Sequence, residues 1–328
     1  MNRVLAMCLL CLSALAARGE TLKLATLAPD GSVWYGALQT MAEEWRRISN
    51  GAIDARIYPG GVAGDDAVMV RKMRIGQLNG AALTGDGMAS IAAEMRIFQM
   101  PMLIRSDAEL DYMRTRLSAD LEAISLAQGF KLLAWSDVGW VYLFSTTPIT
   151  DPDAARRARM WIAPGDTAWL QALQGAGYRP VALPATEILS GLQSGLIDAF
   201  NTPPVVALSS QWFGQARNMM DLRWSPLVGA VVVTTRFWDQ VPPAQRDALQ
   251  EAALHATRQA QVEVRRFEHD AIAAMQTHGL VVQSVSQESA RRFETEIRGV
   301  YPQIVGPSVP VSIYTKAKDY LDEYRRTR

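Results

Sequence analysis

Cysteine and histidine are nearly absent: the 328 residues hold two cysteines, Cys8 and Cys11, and three histidines. That is too few for a disulfide scaffold or a cysteine-ligated zinc, so no metal and no cofactor is expected. An excess of either charge is also missing, with 33 Lys and Arg against 33 Asp and Glu. Without a net field to attract phosphate backbones, nucleic acid is excluded as a partner. Beyond the N-terminus no apolar run reaches the roughly 18 residues that a membrane span needs. What remains is 49% hydrophobic and 20% charged, able to bury a sizeable core. At about 150 residues per domain, the length allows two lobes.

The first residues stand apart from the rest. Asn2-Arg3 gives a short charged start, Val4 to Ala16 is an apolar run short for a bilayer, and Ala14-Leu15-Ala16 has the small-x-small pattern of a cleavage site. Residues 1–16 are expected to be a secretory signal peptide, and its removal takes both cysteines away. Leu10 stands where a lipid-attachment motif ending at Cys11 wants a small residue, which argues against lipidation.

After this segment, short β-like runs alternate with amphipathic stretches, the pattern of an α/β protein. Thr21 to Leu27 and Ile53 to Tyr58 read as strands flanking a helix over Val33 to Ile48 that stops at Asn50-Gly51. A helix over Val68 to Ile75 precedes a short strand at Ala81 to Thr84. Later strand candidates are Lys131 to Ser136, Arg159 to Ala163, Pro180 to Leu183, Leu196 to Phe200 and Ala230 to Thr235. Parallel sheets covered by helices are the economical assembly. Between Pro242-Pro243 and Gly279 neither proline nor glycine interrupts the chain. That segment reads as one helix over about 243–278, roughly 50 Å long and able to bridge two lobes, or as two helices broken near His269-Asp270.

No catalytic constellation emerges. Gly85-Asp86-Gly87-Met88-Ala89-Ser90 lacks the third glycine of a dinucleotide turn, and Ser194 within Gly191-Leu192-Gln193-Ser194-Gly195 has the wrong spacing for a nucleophile elbow and reads as a helix end. His255, His269 and His278 are spaced 14 and 9 apart, which does not place two ligands on one helix face. Binding is the remaining class of function. Ligands on open α/β sheets sit beyond the carboxyl ends of strands, here the loops Ala28 to Trp34, Thr84 to Met88, Asp137 to Val141, Ala163 to Asp166 and Asn201 to Pro204. Aromatic residues crowd these loops: Trp34, Trp140, Trp161, Trp169, Phe200 and Trp212 among them. Any single tryptophan is more often core than site, but the group points to a pocket.

The chain resembles a known family in an ordered series of segments. These are Leu22-Lys23-Leu24-Ala25-Thr26-Leu27-Ala28-Pro29, Tyr58-Pro59-Gly60-Gly61, Arg74-Ile75-Gly76-Gln77-Leu78, Met100-Pro101-Met102-Leu103-Ile104-Arg105, the run Leu189 to Asp198, and Phe237-Trp238 before Pro242-Pro243. Together they are similar to the substrate-binding proteins of TRAP transporters, of the dicarboxylate-receptor type. The resemblance implies a two-lobe α/β periplasmic binding protein fold with a long bridging helix, closing on a small molecule passed to a membrane permease. It also implies no enzymatic activity. Lobe I is expected over 17–138 plus about 229–264, and lobe II over 139–228 plus about 265–328.

The sequence departs from that family where the ligand is held. Val141, in Gly139-Trp140-Val141, and Trp161, in Arg159-Met160-Trp161-Ile162-Ala163-Pro164, stand where relatives carry carboxylate-binding arginines. Thr202 stands where they place an asparagine before proline, with Asn201 one position earlier. A carboxylate enclosed in a dry cleft must recover its hydration from charge-assisted hydrogen bonds, which valine and indole do not supply. The expectation is therefore an apolar or amphipathic ligand enclosed by Trp161, Trp140, Val141, Asn201, Thr202, Phe200, Trp34 and Trp212. The run around Trp161 with Pro203-Pro204 and Gln211-Trp212-Phe213 resembles the subgroup associated with periplasmic tetratricopeptide-repeat partners. The alternatives are an organic-acid receptor whose clamp has moved to Arg159 or Arg105 and, from another class, an exported hydrolase or lyase.

Overall fold

Two mixed sheets organise the chain in the computed structural model, which describes residues 20–327. The expected signal peptide at 1–16 lies outside these residues. The first sheet has the order β2-β1-β3-β10-β4 and comprises β1 (Glu20–Thr26), β2 (Ile53–Tyr58), β3 (Gly80–Leu83), β4 (Phe130–Trp140) and β10 (Pro226–Thr234). The second has the order β11-β9-β5-β8-β6-β7 and comprises β5 (Tyr142–Ser145), β6 (Arg159–Ile162), β7 (Arg179–Ala182), β8 (Ala199–Thr202), β9 (Asn218–Met220) and β11 (Val281–Gln283).

The expectation of all-parallel sheets needs correction. β1 runs parallel to β2 and β3, but β10 is antiparallel to both β3 and β4, and β5 is antiparallel to β8 and β9. The reason lies in the connections: β4 passes directly into β5, and the chain returns between the lobes just before β10. At the crossing, Val141 donates its N–H to Ser225 and accepts from Trp224, both at 2.9 Å. The strand expected at Leu196 to Phe200 begins later, because Gly195 at φ 69° and the Leu196 N–H on Gly191 first close the preceding helix.

Helix α1 (Val33–Ile48) starts at Ser32, whose hydroxyl accepts from the Tyr35 N–H, and buries Leu38, Met41 and Trp45 on one face. Trp45 is fully buried, donates its indole N–H to the Leu249 carbonyl at 2.8 Å and stacks on Phe237 at 6.3 Å. This docks the start of the long helix. Helices α2 (Asp66–Arg74), α3 (Gly85–Ile91), α4 (Asp107–Ala127), α5 (Pro152–Arg157), α6 (Thr167–Gly175), α7 (Ile188–Gln193), α8 (Pro204–Ser209) and α9 (Thr235–Gln240) flank the sheets, with a 3-10 segment at Ala93–Gln99.

Helix α10 runs unbroken over Pro243–Thr277, so the two-helix alternative does not hold. Its buried positions, among them Leu249, Ala253, Ala256, Ala260, Val264, Ala271 and Met275, recur every three or four residues. The small alanines let it lie close against α1, β4 and α8, and so it bridges the lobes. Helices α11 (Gln287–Gly299), α12 (Tyr301–Ile304) and α13 (Val311–Arg326) complete the chain. Whereas residues 265–328 were expected with lobe II, α13 packs along α4, where Arg325 grips Glu109 at 2.8 Å. Among the described residues, no helix is long and apolar enough to cross a membrane.

Candidate ligand cavity between the lobes

A cavity of about 1000 Å³ lies between the sheets, and each of the five loops picked out beyond strand ends contributes to its wall. The second lobe supplies much of its apolar surface. Trp161 sits on β6 and donates its indole N–H to the Leu183 carbonyl at 2.7 Å, which fixes the ring and leaves it no polar group to offer. Val141, Asn201, Thr202, Trp169 and Trp212 line the same space, and Trp34 enters from the start of α1. The Trp34 Nε1 is buried and has no hydrogen-bond partner among the described residues.

Two of the expected wall residues are elsewhere. Trp140 is turned away, because Val138 is an extra residue in β4 opposite the step Leu227–Val228, and Gly139 takes φ 120°. Such a bulge reverses which face the following side chain takes. The Trp140 indole N–H donates to Asp107 at 3.0 Å, and the Arg223 guanidinium lies over its ring at 5.2 Å. Phe200 is fully buried beneath the cavity, stacked on Phe144 and meeting Trp212 edge-on, both at 5.4 Å. It supports a wall residue without being one.

The first lobe supplies a polar floor that sequence reading missed. Asp66 opens α2 and is buried; it accepts from the Thr84 N–H at 3.2 Å and the Thr84 hydroxyl at 2.5 Å. Burial pushes its pKa up to about 7. Gly87 is required against it, since a Cβ there would lie 2.8 Å from the Asp66 carboxyl oxygen. Asp86 is also raised by burial and accepts from Gln99 at 3.0 Å. The segment Gly85 to Ser90 is not a dinucleotide turn but nearly the whole of α3, capped by Thr84, and its Asp86 faces the cavity.

Arg96 is the only Lys, Arg or His lining the cavity among the described residues. It reaches across from the first lobe to Asp166 of the second at 3.1 Å. Asp166 caps α6 through the Trp169 N–H at 2.9 Å and accepts from the Ser308 hydroxyl. The arginines considered for a displaced clamp are both committed outside the cavity lining. Arg159 holds Asp198 bidentately at 2.6 and 2.7 Å, and Arg105 pairs with Glu294 at 3.0 Å. Arg96 sits in the plain run Met95-Arg96-Ile97, where a lone cation among apolar residues was the available signal. His255, His269 and His278 are exposed, and Ser194 ends α7. No group of three or more His, Cys, Asp or Glu among the described residues could hold a metal ion.

Two α/β lobes joined by crossing strands and one long helix, with a cavity between them, define a solute-binding receptor. The family model for bacterial extracellular solute-binding proteins, family 7 (DctP), matches residues 24–306, and the chain belongs to that family, the periplasmic receptors of TRAP transporters. These are binding proteins and not enzymes, which sets aside the hydrolase or lyase alternative. The chain is 26% identical over 259 residues to the C4-dicarboxylate-binding periplasmic protein DctP of Rhodobacter capsulatus, covering 77% of this chain and 76% of that protein. In fold it is similar to a TRAP periplasmic solute binding protein from Ralstonia eutropha H16 with bound (S)-2-acetolactate, at TM-score 0.85 and 19% identity over 92% of this chain and 99% of that one. It is likewise similar to the sugar acid binding protein DctPAm of Advenella mimigardefordensis in complex with galactonate, at TM-score 0.87 and 16% identity over 93% and 99%.

Proposed function

We propose that the protein is the periplasmic receptor of a TRAP-type importer for an amphipathic organic acid. The acid's carboxylate meets Arg96, and its apolar body lies against Trp161, Trp34, Trp169 and Trp212. The observation that carries this reading is the cavity's composition: one basic side chain in a wall otherwise dominated by indole and aliphatic groups. A wholly apolar cargo would leave the buried Trp34 N–H without an acceptor and would cover the guanidinium edges of Arg96 that Asp166 does not occupy, both at a desolvation cost. The relatives named for C4-dicarboxylates, acetolactate and galactonate support an acid as well. The apolar expectation therefore gives way to the organic-acid alternative, with Arg96 in place of Arg159 or Arg105. Export by a signal peptide at 1–16 and delivery to a membrane permease belong to this proposal. A tetratricopeptide-repeat partner rests only on the sequence run around Trp161, Pro203-Pro204 and Gln211-Trp212-Phe213, and stands as a separate part of the proposal.

Titration calorimetry with 4-phenylbutyrate and its uncharged amide tests the reading. Wild type is expected to favour the acid at least about tenfold, a difference of roughly 1.4 kcal/mol. Arg96→Met should abolish that preference. Equal binding of acid and amide by the wild-type protein would falsify the assignment.

A further inference from the structure

Arg96 does not stand alone in the cavity. Its Nη1 holds Asp166 across the cleft, and the other guanidinium N–H groups make no further ion pair among the described residues. A planar guanidinium can engage two carboxylates on different edges at once. Asp166 is held in place independently of Arg96, by the Trp169 N–H and the Ser308 hydroxyl, so it does not swing away when a ligand arrives. Asp86 adds a second carboxylate within electrostatic reach of Arg96, and Asp66 lines the same floor. A ligand carboxylate at Arg96 therefore enters a site whose one cation is already matched, and any second anionic group finds carboxylates and no free cation.

From this arrangement we propose that Asp166 is a specificity-determining residue that restricts the receptor to monocarboxylates. It acts through Arg96, by sharing its charge, and through like-charge repulsion of a second anionic group. The inference rests on the organic-acid reading and sharpens it, because it separates this chain from relatives that take dicarboxylates. Asp166 also lies on the second lobe while Arg96 lies on the first, so the filter is assembled only when the lobes face one another.

The experiment compares 4-phenylbutyrate, its amide and succinate on wild type, Asp166→Asn and Asp166→Glu by titration calorimetry. Asparagine keeps one side-chain oxygen to cap α6, and the amide N–H that replaces the second oxygen can donate to the Ser308 hydroxyl, so the fold is expected to survive, checked by circular dichroism and melting temperature. Wild type should bind 4-phenylbutyrate at least about tenfold tighter than succinate. Asp166→Asn should shrink that ratio about tenfold, mainly by strengthening succinate, and Asp166→Glu should restore it. A purely structural role would weaken both acids together and leave their ratio unchanged. An unchanged ratio in folded Asp166→Asn, or a wild-type preference for succinate, overturns the filter while a preference for acid over amide keeps the organic-acid reading. Loss of the acid-over-amide preference in wild type removes both.

Discussion

Two clusters built from aspartate and arginine behave differently in this molecule. Behind the crossing strands, the buried Asp137 on β4 receives Arg114 from α4 and Arg265 and Gln261 from α10, with the Arg265 contact at 2.7 Å. Arg265 also holds Asp111 at 2.9 Å. Against the opposing effect of partial burial, that arginine keeps the Asp111 carboxyl below its ordinary range. In the ligand cavity, Asp66 and Asp86 have only Thr84 and Gln99 as side-chain hydrogen-bond partners among the described residues, and burial raises both pKa values. The lesson is one of charge accounting. Where carboxylates are matched by guanidinium groups, they fasten the first lobe to the long helix. Where no guanidinium pairs with them, as at Asp66 and Asp86, burial makes their ionised form costly.

The comparison breaks most visibly at Asp66. Its folded pKa of about 7 lies above the ordinary carboxylate value, so the group costs nothing below about pH 4, where folded and unfolded chains are both protonated. As pH rises from about 4 to 7 the unfolded state ionises first, and stability falls by about 1.4 kcal/mol per unit, roughly 4 kcal/mol in all. Above pH 7 the loss is constant. Urea denaturation of wild type and Asp66→Asn across this range should show the variant equal at pH 4 and clearly more stable at pH 8. Parallel curves would place Asp66 with the balanced carboxylates.

At the hinge the opposite sign is expected. Asp137→Ala strips the shared partner from two arginines and a glutamine, and should lower stability by about 3 kcal/mol at neutral pH, read from the urea midpoint. A smaller loss is expected for Asp137→Asn, which keeps hydrogen-bonding capacity. Within the cavity, Trp161→Ala should weaken an aryl-alkyl acid ten- to a hundredfold, about 1.4 to 3 kcal/mol, by removing a large aromatic contact, with tryptophan fluorescence and calorimetry as readouts. The smallest effect belongs to Trp34→Phe. Removing an unpaired buried N–H should leave the free protein as stable as wild type or slightly more so, and cost about 1 kcal/mol in binding if the ligand supplies its acceptor. An unaltered affinity would show that this N–H does not meet the ligand.

The general architecture was legible because its signals are local. The uninterrupted Pro243–Thr277 segment, the capped α1 and the ordered motifs each act within a few turns of chain, and the family's two-lobe design follows from them. That Val141 and Trp161 carry no charge was also readable at single positions. Other features depended on juxtapositions that no window of sequence contains. The bulge at Val138 turned Trp140 out of the site, and strand alternation sank Phe200 into the core. Arg96 and Asp166 lie seventy positions apart and meet only because the lobes face each other. Residue pattern determines what each element can bury, because burial faces repeat at fixed periods along the chain. Which charges share a cavity, and which are left without partners, was decided by tertiary structure, because Coulomb energy depends on distance and on exclusion of water and not on order in the chain.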